Sequence, residues 1–417
     1  MKFLKGYAIE MNDIPEYEDF NEDWSVPVDV ELCKLLLESD DKRLSPQMKE
    51  FFRKTCSLIN KETEELKVKY RPRHNCGRRY PEEPSQEFYA NKRGEQVKNT
   101  NHGKYWGNLT IHSRFIKNTI FHYMGWKDYD QVKGHPTIIH ELAKRNGCEL
   151  DAYADYLKNG GFDEWCKTLI EYYSVKGEAP LDKKDIKELF NKTIYGGGHG
   201  KWCDMITQTN LDDKTLEKLK RKNTKPKKMK TSVPHSLYRG FAEDTKKITK
   251  LIWDNNKELK ERICAGLPDD SDLKFSKCRN KLMSAFCGII ENELTYRAYE
   301  YAISINACQK KRVDWGYDGF TIPNSKEASV DVSQMNEYVR KCTGFSTVTF
   351  LEKGIDKSDI IESVIGKRTL LNAKQKLEDE TTELEDATTD DDALSAFSEA
   401  SISSIEKTTI NTLDEEE

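Results

Sequence analysis

The hydrophobic positions of this chain fall mostly at helical spacing. Apolar residues that recur every three or four positions predict helices over residues 30–38, 45–69, 150–174, 181–198, 236–265 and 273–302. The pattern changes at residues 311–323, KRVDWGYDGFTIP, where two β-rich runs meet at Asp318-Gly319, a pair favoured at the tip of a tight hairpin. Residues 325–350 predict a further helix and strand. The chain therefore combines many helices with a few strands.

The predicted helix at residues 181–198 carries four polar side chains at intervals of four residues: Lys183, Lys187, Asn191 and Tyr195. Each step of four advances about 400° around a helix, so these side chains share one face. Lysines can meet phosphates and the ring can meet a base, so this face suits a nucleoside triphosphate. The alternative is an ordinary amphipathic helix whose lysines are solvated.

Two acidic motifs lie far apart along the chain. Asp128 and Asp130 occur in GWKDYDQVKGHPTIIH, residues 125–140, where a strand end precedes a predicted helix at residues 136–146. Asp318 lies at the tip of the predicted hairpin. Carboxylates placed in this way can hold a hard cation. Both motifs also have plainer interpretations, because Asp-x-Asp is frequent and an Asp-Gly turn needs no metal.

Charge is unevenly distributed along the 417 residues, whose net charge is −5. Residues 374–417 contain 15 acidic and 3 basic residues, so they carry −12 and the remainder carries +7. The first 373 residues are thus mildly basic, which is compatible with a polyanionic partner. The Thr-, Ser-, Asp- and Glu-rich tail is predicted to be disordered.

Basic residues cluster in two places. Residues 71–80, RPRHNCGRRY, place four arginines around one glycine, and residues 218–230 hold eight cationic side chains. The second run is a natural track for phosphates, although a solvated loop and a nuclear-import signal remain alternatives.

Cysteine usage and the chain start bear on location. The 11 cysteines form no CxxC pair, so we predict reduced, mostly buried thiols rather than a disulfide framework or zinc cluster. The start of the chain does not resemble a signal peptide, and no apolar run approaches membrane-spanning length. We therefore predict an intracellular protein without a membrane partner, located in the cytoplasm or at a viral or plasmid-like replication site.

Three of these motifs together resemble family A DNA polymerases. Lys183, Lys187 and Tyr195-Gly196 resemble the fingers-helix motif, with Asn191 where the family usually has an aromatic residue. Residues 128–133, DYDQVK, resemble the first catalytic motif, and Tyr317-Asp318-Gly319 resembles a reduced His-Asp-Glu triplet. The anchors Asp128, Lys187 and Asp318 follow the family order at separations of 59 and 131 residues. The Asp-x-Asp of Asp128 and Asp130, followed by His135-Pro136, resembles the form of this motif in the polymerase-A-like enzymes of virophages, transpovirons and related mobile elements.

The resemblance implies an α+β fold, a right-hand polymerase with an antiparallel palm sheet, helical fingers and a small helical thumb. We expect the following regions: 1–28 an irregular acidic arm, 29–70 a helical thumb-like segment, 71–145 a first palm segment with the Asp128 motif, 146–270 helical fingers, 271–373 a second palm segment with the Asp318 hairpin, and 374–417 a disordered acidic tail. Fewer than thirty residues precede the first predicted helix, so we expect no proofreading exonuclease.

The resemblance also assigns roles to individual residues. Asp128, Asp318 and Lys187 would be catalytic, and two Mg²⁺ ions, for which Mn²⁺ can substitute, would be held by Asp128, Asp318 and Tyr129. The expected nucleotide-binding residues are Lys183, Lys187, Asn191, Tyr195 and Gln131. The expected nucleic-acid-binding residues are Gly77, Arg78, Arg79, Arg114 and Lys117. The implied partners are primer–template DNA, dNTPs and a separate helicase.

Three alternatives remain open from the sequence. Lys133 stands where family A has the glutamate that blocks a 2'-hydroxyl, so a single-subunit RNA polymerase or a primase-polymerase also fits. An inactive nucleic-acid-binding module would keep the basic loops without using the carboxylates. A sugar transferase built on Asp128 and Asp130 would give the helix at residues 181–198 no task.

Overall fold

The computed structural model describes residues 1–72, 79–81, 88–90, 96–98, 109–110, 112–174, 181–208, 231–264, 271–316, 318–324 and 328–387. In residues 71–98, 207–208, 271–277 and 381–387 this description covers the backbone alone. The predicted basic run at residues 218–230 lies outside the described residues.

Helices make up most of the described chain. They are α1 (Val30–Glu38), α2 (Pro46–Cys56), α3 (Arg114–Tyr123), α4 (Gly134–Arg145), α5 (Asp151–Leu157), α6 (Gly161–Tyr173), α7 (Lys183–Ile194), α8 (His199–Gln208), α9 (Ser236–Asn255), α10 (Lys257–Cys264), α11 (Ser271–Ser304), α12 (Val332–Thr343) and α13 (Glu362–Ala387). Short 3-10 helices occur at Met11–Asp13, Glu18–Asn21 and Lys357–Asp359.

The strands are short and pair antiparallel. They are β1 (Leu4–Lys5), β2 (Ala8–Ile9), β3 (Trp24–Pro27), β4 (Ile59–Asn60), β5 (Glu65–Val68), β6 (Tyr70–Pro72), β7 (Arg79–Pro81), β8 (Phe88–Ala90), β9 (Gln96–Lys98), β10 (Lys127–Gln131), β11 (Asp314–Trp315), β12 (Gly319–Ile322) and β13 (Phe350–Lys353). The largest sheet among the described residues has the order β11-β12-β10-β13. Its strands come from three distant parts of the chain, so it is a product of tertiary folding.

One face of this sheet packs against the long helix α11. The rings of Tyr299 and Phe320 lie 6.1 Å apart, and Trp315 and Phe320 are stacked. Tyr129 lies on the same face, 5.7 Å from the ring of Phe320. Because alternate residues of a strand point to opposite faces, burying these rings directs Asp128 and Asp130 to the other face.

A second group of helices packs around α7. Its apolar face includes Ile186, Leu189 and Phe190, all fully buried. Phe190 packs against Tyr156 of α5 at 5.3 Å and Phe241 of α9 at 4.8 Å. This aromatic packing fixes the orientation of α7, so its polar face points away from the core.

The first 28 residues differ from the irregular arm that we predicted. They contain β1, β2 and β3, and Phe3, Phe20 and Trp24 are buried. Phe20 stacks on Trp24 at 4.8 Å. The aromatic side chains account for this outcome, because burying them stabilises the ordered segment.

The helix predicted at residues 45–69 ends at Cys56. As predicted, Ser45 caps it and Pro46 occupies its first turn. Beyond it, β4 and β5 form a hairpin in which Leu66 and Val68 are buried while Lys67 is exposed. This alternation is the period of a strand, which the helical prediction overlooked.

Two further predictions require correction. Helix α13 continues to Ala387, so the region predicted to be disordered from residue 374 begins as a helix. Its Lys-, Glu- and Leu-rich sequence favours helix, and Arg368 anchors it to Asp29 at 2.9 Å. A disulfide joins Cys264 to Cys278, contrary to the prediction of reduced thiols, because α10 packs against α11 and brings the two Cα atoms within 5.8 Å.

Within the described part of the chain, no helix is both long enough and apolar enough to cross a lipid bilayer.

Candidate active site

The acidic residues of the first motif lie on the central strand β10. Its residues alternate between the two faces of the sheet, so Asp128 and Asp130 share one face and Tyr129 and Gln131 share the other. Asp128 is paired with Thr321 of β12 on one side and Lys353 of β13 on the other. Residues opposite each other in a ladder share a face. The acidic face of β10 therefore continues onto both neighbouring strands.

A row of four polar side chains crosses the whole sheet at this level. It contains Asp314, Thr321, Asp128 and Lys353, in spatial order. The hydroxyl of Thr321 donates a hydrogen bond to Asp128 Oδ1 at 3.1 Å. Lys353 Nζ donates to Asp130 Oδ2 at 2.7 Å. The row thus places carboxylates, a hydroxyl and an ammonium group side by side.

Asp318 joins this cluster from the turn before β12. Its backbone carbonyl accepts a hydrogen bond from the backbone N–H of Gln131 at 2.8 Å, which fixes the turn against the end of β10. The charges of Asp318, Asp128 and Asp130 all act on Lys353. The structure therefore places Asp318 at the end of the strand pair that carries Asp128, with both acids acting on the same lysine, although about 190 residues separate them in sequence.

Gly319 allows β12 and β10 to approach closely. A Cβ atom at this position would lie 2.0 Å from the Tyr129 carbonyl oxygen and 2.8 Å from Asp130 Oδ1. Neither separation is sterically allowed, so the glycine is required by the closeness of the two strands. The close approach of the strands therefore accounts for the glycine after Asp318, which lies within β12.

The electrostatics of the site reflect its crowded acids. Burial raises the pKa of Asp128 above its ordinary value, and the nearby charge of Asp130 raises it further. Lys117 of α3 and Lys353 oppose this rise, as does the hydrogen bond from Thr321. A cation bound next to Asp128 would stabilise the charged form of this carboxylate.

Lys353 is held as a cation by its acidic neighbours. Partial desolvation lowers its pKa, but the hydrogen bond to Asp130 and the charges of the three aspartates outweigh desolvation, so the pKa is raised overall. The ammonium group keeps access to water, since 58% of the Lys353 side chain is exposed.

The donor set fits a Mg²⁺ ion that a substrate helps to hold. No group of three His, Cys, Asp or Glu side chains in the described residues is arranged to bind a metal on its own. Mg²⁺ is commonly held by one or two carboxylates together with substrate phosphates and water. Asp128 and Asp318 supply two carboxylates. The Tyr129 side chain is buried on the opposite face, so this residue could contribute only its backbone carbonyl.

Helix α7 presents part of the predicted nucleotide-binding face. Asp182 and Asp185 form a capping box at its start. Lys187 is exposed and has no ion-pair partner among the described residues. Lys183 instead forms an ion pair with Asp163 of α6 at 2.5 Å. Lys187 is thus the cation of this face that remains available to an incoming anion, and Asn191 lies half-buried one turn further on.

The end of α7 is connected to the acidic strand through a buried network of polar side chains. The Tyr195 hydroxyl is hydrogen-bonded to His135 Nδ1. His135 Nε2 lies 3.1 Å from Glu291 Oε1 of α11, and both of these side chains are almost completely buried. His135 follows β10 by four residues, so this network of polar contacts fixes α7 relative to the strand that carries Asp128.

Gln131 does not lie with the acids. It is buried on the face that packs against α11, where its amide donates to the Glu291 carbonyl at 3.1 Å and to Thr295 Oγ1 at 2.9 Å. Its side chain thus binds the helix beneath the sheet rather than the open acidic face. The alternation of β10 imposes this placement, because Gln131 shares a face with Tyr129.

Lys133 turns away from the acidic face as well. Its backbone adopts a left-handed conformation, with φ of 48°, at the start of α4. Its ammonium group donates to the Tyr156 carbonyl at 3.0 Å and lies 5.0 Å from the Tyr156 ring. Burial lowers the pKa of Lys133.

The predicted nucleic-acid-binding residues are placed differently from one another. Gly77 and Arg78 lie outside the described residues, and Arg79 is described only by its backbone in β7. Arg114 pairs with Asp359 at 2.9 Å, although 65% of its side chain remains exposed. Lys117 is close enough to act on Asp128 and on Asp314.

Three members of the site were missed by the sequence analysis: Lys353, Thr321 and Asp314. Lys353 follows no motif, and only strand pairing places it opposite Asp128. Asp314 is fully buried and accepts hydrogen bonds from the Leu109 amide and the Thr110 hydroxyl. Burial raises the pKa of Asp314 to about 6. An aspartate four residues before Asp318 was the one sequence signal available.

No family model matches the chain, and no curated protein matches it either. Among solved structures, it is similar to the POL domain of Pol1 from M. smegmatis in complex with DNA primer-template and dNTP. The two chains are 11% identical, with a TM-score of 0.39, and the match covers 77% of this chain and 55% of that chain. The chain thus spans just over half the length of that domain, and it is a mixed helix and antiparallel-sheet protein with a distant structural similarity to it.

Proposed function

We propose that this protein is a template-directed DNA polymerase that transfers a nucleotidyl group from a dNTP to a primer 3'-hydroxyl. One observation carries the proposal: Asp128 on β10 and Asp318 in the turn before the neighbouring strand β12 come from distant parts of the chain, yet the charges of both act on one lysine, Lys353. Together with the order of the three sequence motifs, this arrangement supports a two-metal nucleotidyl transferase more directly than it supports the other functions considered.

The proposed roles follow from charge and position. Asp128 and Asp318 would hold two Mg²⁺ ions, or Mn²⁺ in their place, together with the nucleotide phosphates. When bound, these ions activate the attacking hydroxyl and neutralise charge on the attacking and leaving oxygens. Thr321 orients Asp128 through its hydrogen bond. Lys187, exposed on α7, would neutralise the departing pyrophosphate, and Lys117 would approach the nucleic-acid backbone.

We assign the proposed regions by what they carry. The sheet β11-β12-β10-β13 with α11 would be the palm, and the helices around α7 would be the fingers. Helices α1 and α2 would be a small thumb. Primer–template DNA and dNTPs are the proposed partners, with a helicase acting as a separate protein. A mobile element replicating inside a cell is the proposed setting.

A primer-extension assay tests the proposal. The full chain should extend a primed DNA template with four dNTPs and Mg²⁺. Asp128→Asn and Asp318→Asn should each reduce the rate by at least about a hundredfold, because metal-assisted charge stabilisation contributes several kcal/mol. Asp151→Asn, at an exposed position in the first turn of α5, is the control and should extend normally.

Other outcomes identify other functions. Extension that survives both substitutions would show that different carboxylates act. Primer–template binding without any extension by the wild type would indicate an inactive nucleic-acid-binding module.

A ribonucleotide-incorporating enzyme is the second candidate, and the placement of Lys133 favours it. Position 133 carries a lysine instead of a glutamate, and the lysine's ammonium group is bound to the Tyr156 carbonyl of α5. This position therefore offers no carboxylate that would exclude a 2'-hydroxyl. Incorporation of rNTPs at a rate comparable to that of dNTPs would support this candidate, and synthesis without a primer would identify a primase-polymerase.

A further inference from the structure

Two lysine–carboxylate pairs connect β10 to β13, one on each face of the sheet. On the face that carries Asp128, Lys353 of β13 pairs with Asp130 of β10 at 2.7 Å. On the opposite face Lys127 of β10 pairs with Glu352 of β13 at 2.6 Å. The two pairs have similar geometry and similar solvent access. They differ in their surroundings, because only Lys353 lies among further acidic residues.

The surroundings of Lys353 include every carboxylate proposed to hold a cation. It is directly opposite Asp128 in the ladder, it donates to Asp130, and the charges of both residues and of Asp318 act on it. The charge of Asp130 acts on Asp128, so the two carboxylates repel each other. The ammonium group of Lys353 offsets this repulsion in the absence of any metal ion.

We propose that Lys353 is a positioning residue that keeps Asp130 out of the metal-binding set and weakens the binding of free divalent cations to the site. This inference rests on the proposed function, since it assigns the cation site to Asp128 and Asp318. With Asp130 bound to Lys353, two carboxylates remain as donors, and a fixed positive charge lies beside them. Cation affinity increases with the number of charged ligands, so this arrangement keeps affinity low.

Low affinity for the free ion has a consequence for the reaction. The phosphates of a nucleotide bring negative charge and oxygen donors, which compensate for the charge of Lys353. The site then fills with metal and nucleotide together. Because the Lys353 side chain is largely exposed, it can move towards the phosphates without disturbing the sheet.

The test measures Mn²⁺ binding to the full chain by electron paramagnetic resonance, without nucleotide or DNA. Lys353→Met should bind Mn²⁺ at least about tenfold more tightly than the wild type, because one nearby positive charge is removed and Asp130 becomes a third donor. Lys353→Arg retains the charge and should resemble the wild type. Lys127→Met removes a matched lysine from the opposite face and should leave Mn²⁺ affinity unchanged.

A double substitution identifies the source of the gain. Lys353→Met combined with Asp130→Asn removes both the lysine and the released carboxylate, so most of the tightening should disappear. Lys353→Gln provides the same comparison if the methionine variant does not fold, which circular dichroism would reveal.

The possible results separate the inference from the proposed function. If the wild type binds Mn²⁺ and Lys353→Met or Lys353→Gln binds no more tightly, the inference is wrong and the proposed function is unaffected. Weaker binding by these variants would also overturn it, since Lys353 would then support the site. If neither the wild type nor a folded Lys353 variant binds Mn²⁺ at millimolar concentrations, the two-carboxylate site itself is wrong.

Discussion

Thr321 donates a hydrogen bond to Asp128 at 3.1 Å across a sequence separation of 193 residues. The bond lies within the ladder between β10 and β12, and the Thr321 side chain is buried. It therefore connects the pairing of the two strands to the orientation of the proposed metal-binding carboxylate.

Thr321→Val should lower the rate of primer extension about tenfold, because a hydrogen bond to a charged group contributes about 1.5 kcal/mol or more. Valine keeps the shape of threonine but cannot donate to Asp128. Thr249→Val is the matched control, since the buried Thr249 hydroxyl donates to the Thr245 carbonyl within α9. It should lower thermal stability and leave the rate unchanged. Equal effects of the two substitutions on the rate would contradict a special role for Thr321.

Gly319→Ala should destabilise the protein by about 3 kcal/mol, the upper range for overpacking of a tight site. The added Cβ would clash with the Tyr129 carbonyl, which is backbone and cannot rotate away. Gly200→Ala in α8 provides a contrast, because nothing lies within 4 Å of its Cβ position and alanine favours helix. Urea unfolding of both variants measures the difference, and a Gly319→Ala protein as stable as the wild type would show that β12 and β10 are further apart.

Asp314 should make stability fall as pH rises. Its pKa in the folded protein is about 6, above the ordinary value of 3.8, so the folded state binds the proton more tightly than the unfolded state does. Its contribution is present below about pH 4 and is lost as the pH passes through about 6, a change of roughly 3 kcal/mol for a shift of this size.

Asp314→Asn removes this titration. The free energy of unfolding of the wild type, minus that of Asp314→Asn, should fall between about pH 4 and about pH 7. Urea unfolding at several pH values measures this difference, in which the other titrating groups cancel. A difference that stays constant with pH would show that Asp314 does not titrate in this range.

His135→Ala should cost about 3 kcal/mol of stability, because it removes a polar partner of the buried Glu291 carboxylate. Tyr195→Phe removes the hydrogen bond between the Tyr195 hydroxyl and His135 and should cost about 1 kcal/mol. Because both act through one network, the double variant should lose less than the sum of the two. Urea unfolding of the two single variants and the double variant tests this, and simple additivity would argue that Tyr195 and His135 are not coupled.

The polar pattern of the sequence was sufficient to locate several elements of the site. Helix α1 has the predicted bounds, and α7 lies within its predicted range with its apolar side buried. Helical periodicity spans one continuous stretch of chain, so it can be read locally. The turn that contains Asp318 was predictable for the same reason, although Gly319 lies in β12 and not at the tip.

Side-chain partners across the sheet were not predictable from such local patterns. Lys353 is opposite Asp128 only because β13 pairs with β10, and a shift of one residue would turn it to the other face. The face of Gln131 and the ion pair of Lys183 with Asp163 were decided in the same way, by packing between distant segments. The disulfide between Cys264 and Cys278 depends on how α10 packs against α11.

The sequence by itself thus determined several of the helices, the position of the acidic turn and which residue types are available for chemistry. The tertiary structure alone decided which carboxylates meet, which lysine neutralises them and which polar groups are buried. The physical reason is that propensity and periodicity act between near neighbours in the chain. Charge, hydrogen bonding and steric fit instead act between neighbours in space, whose identity is set by strand register and helix packing.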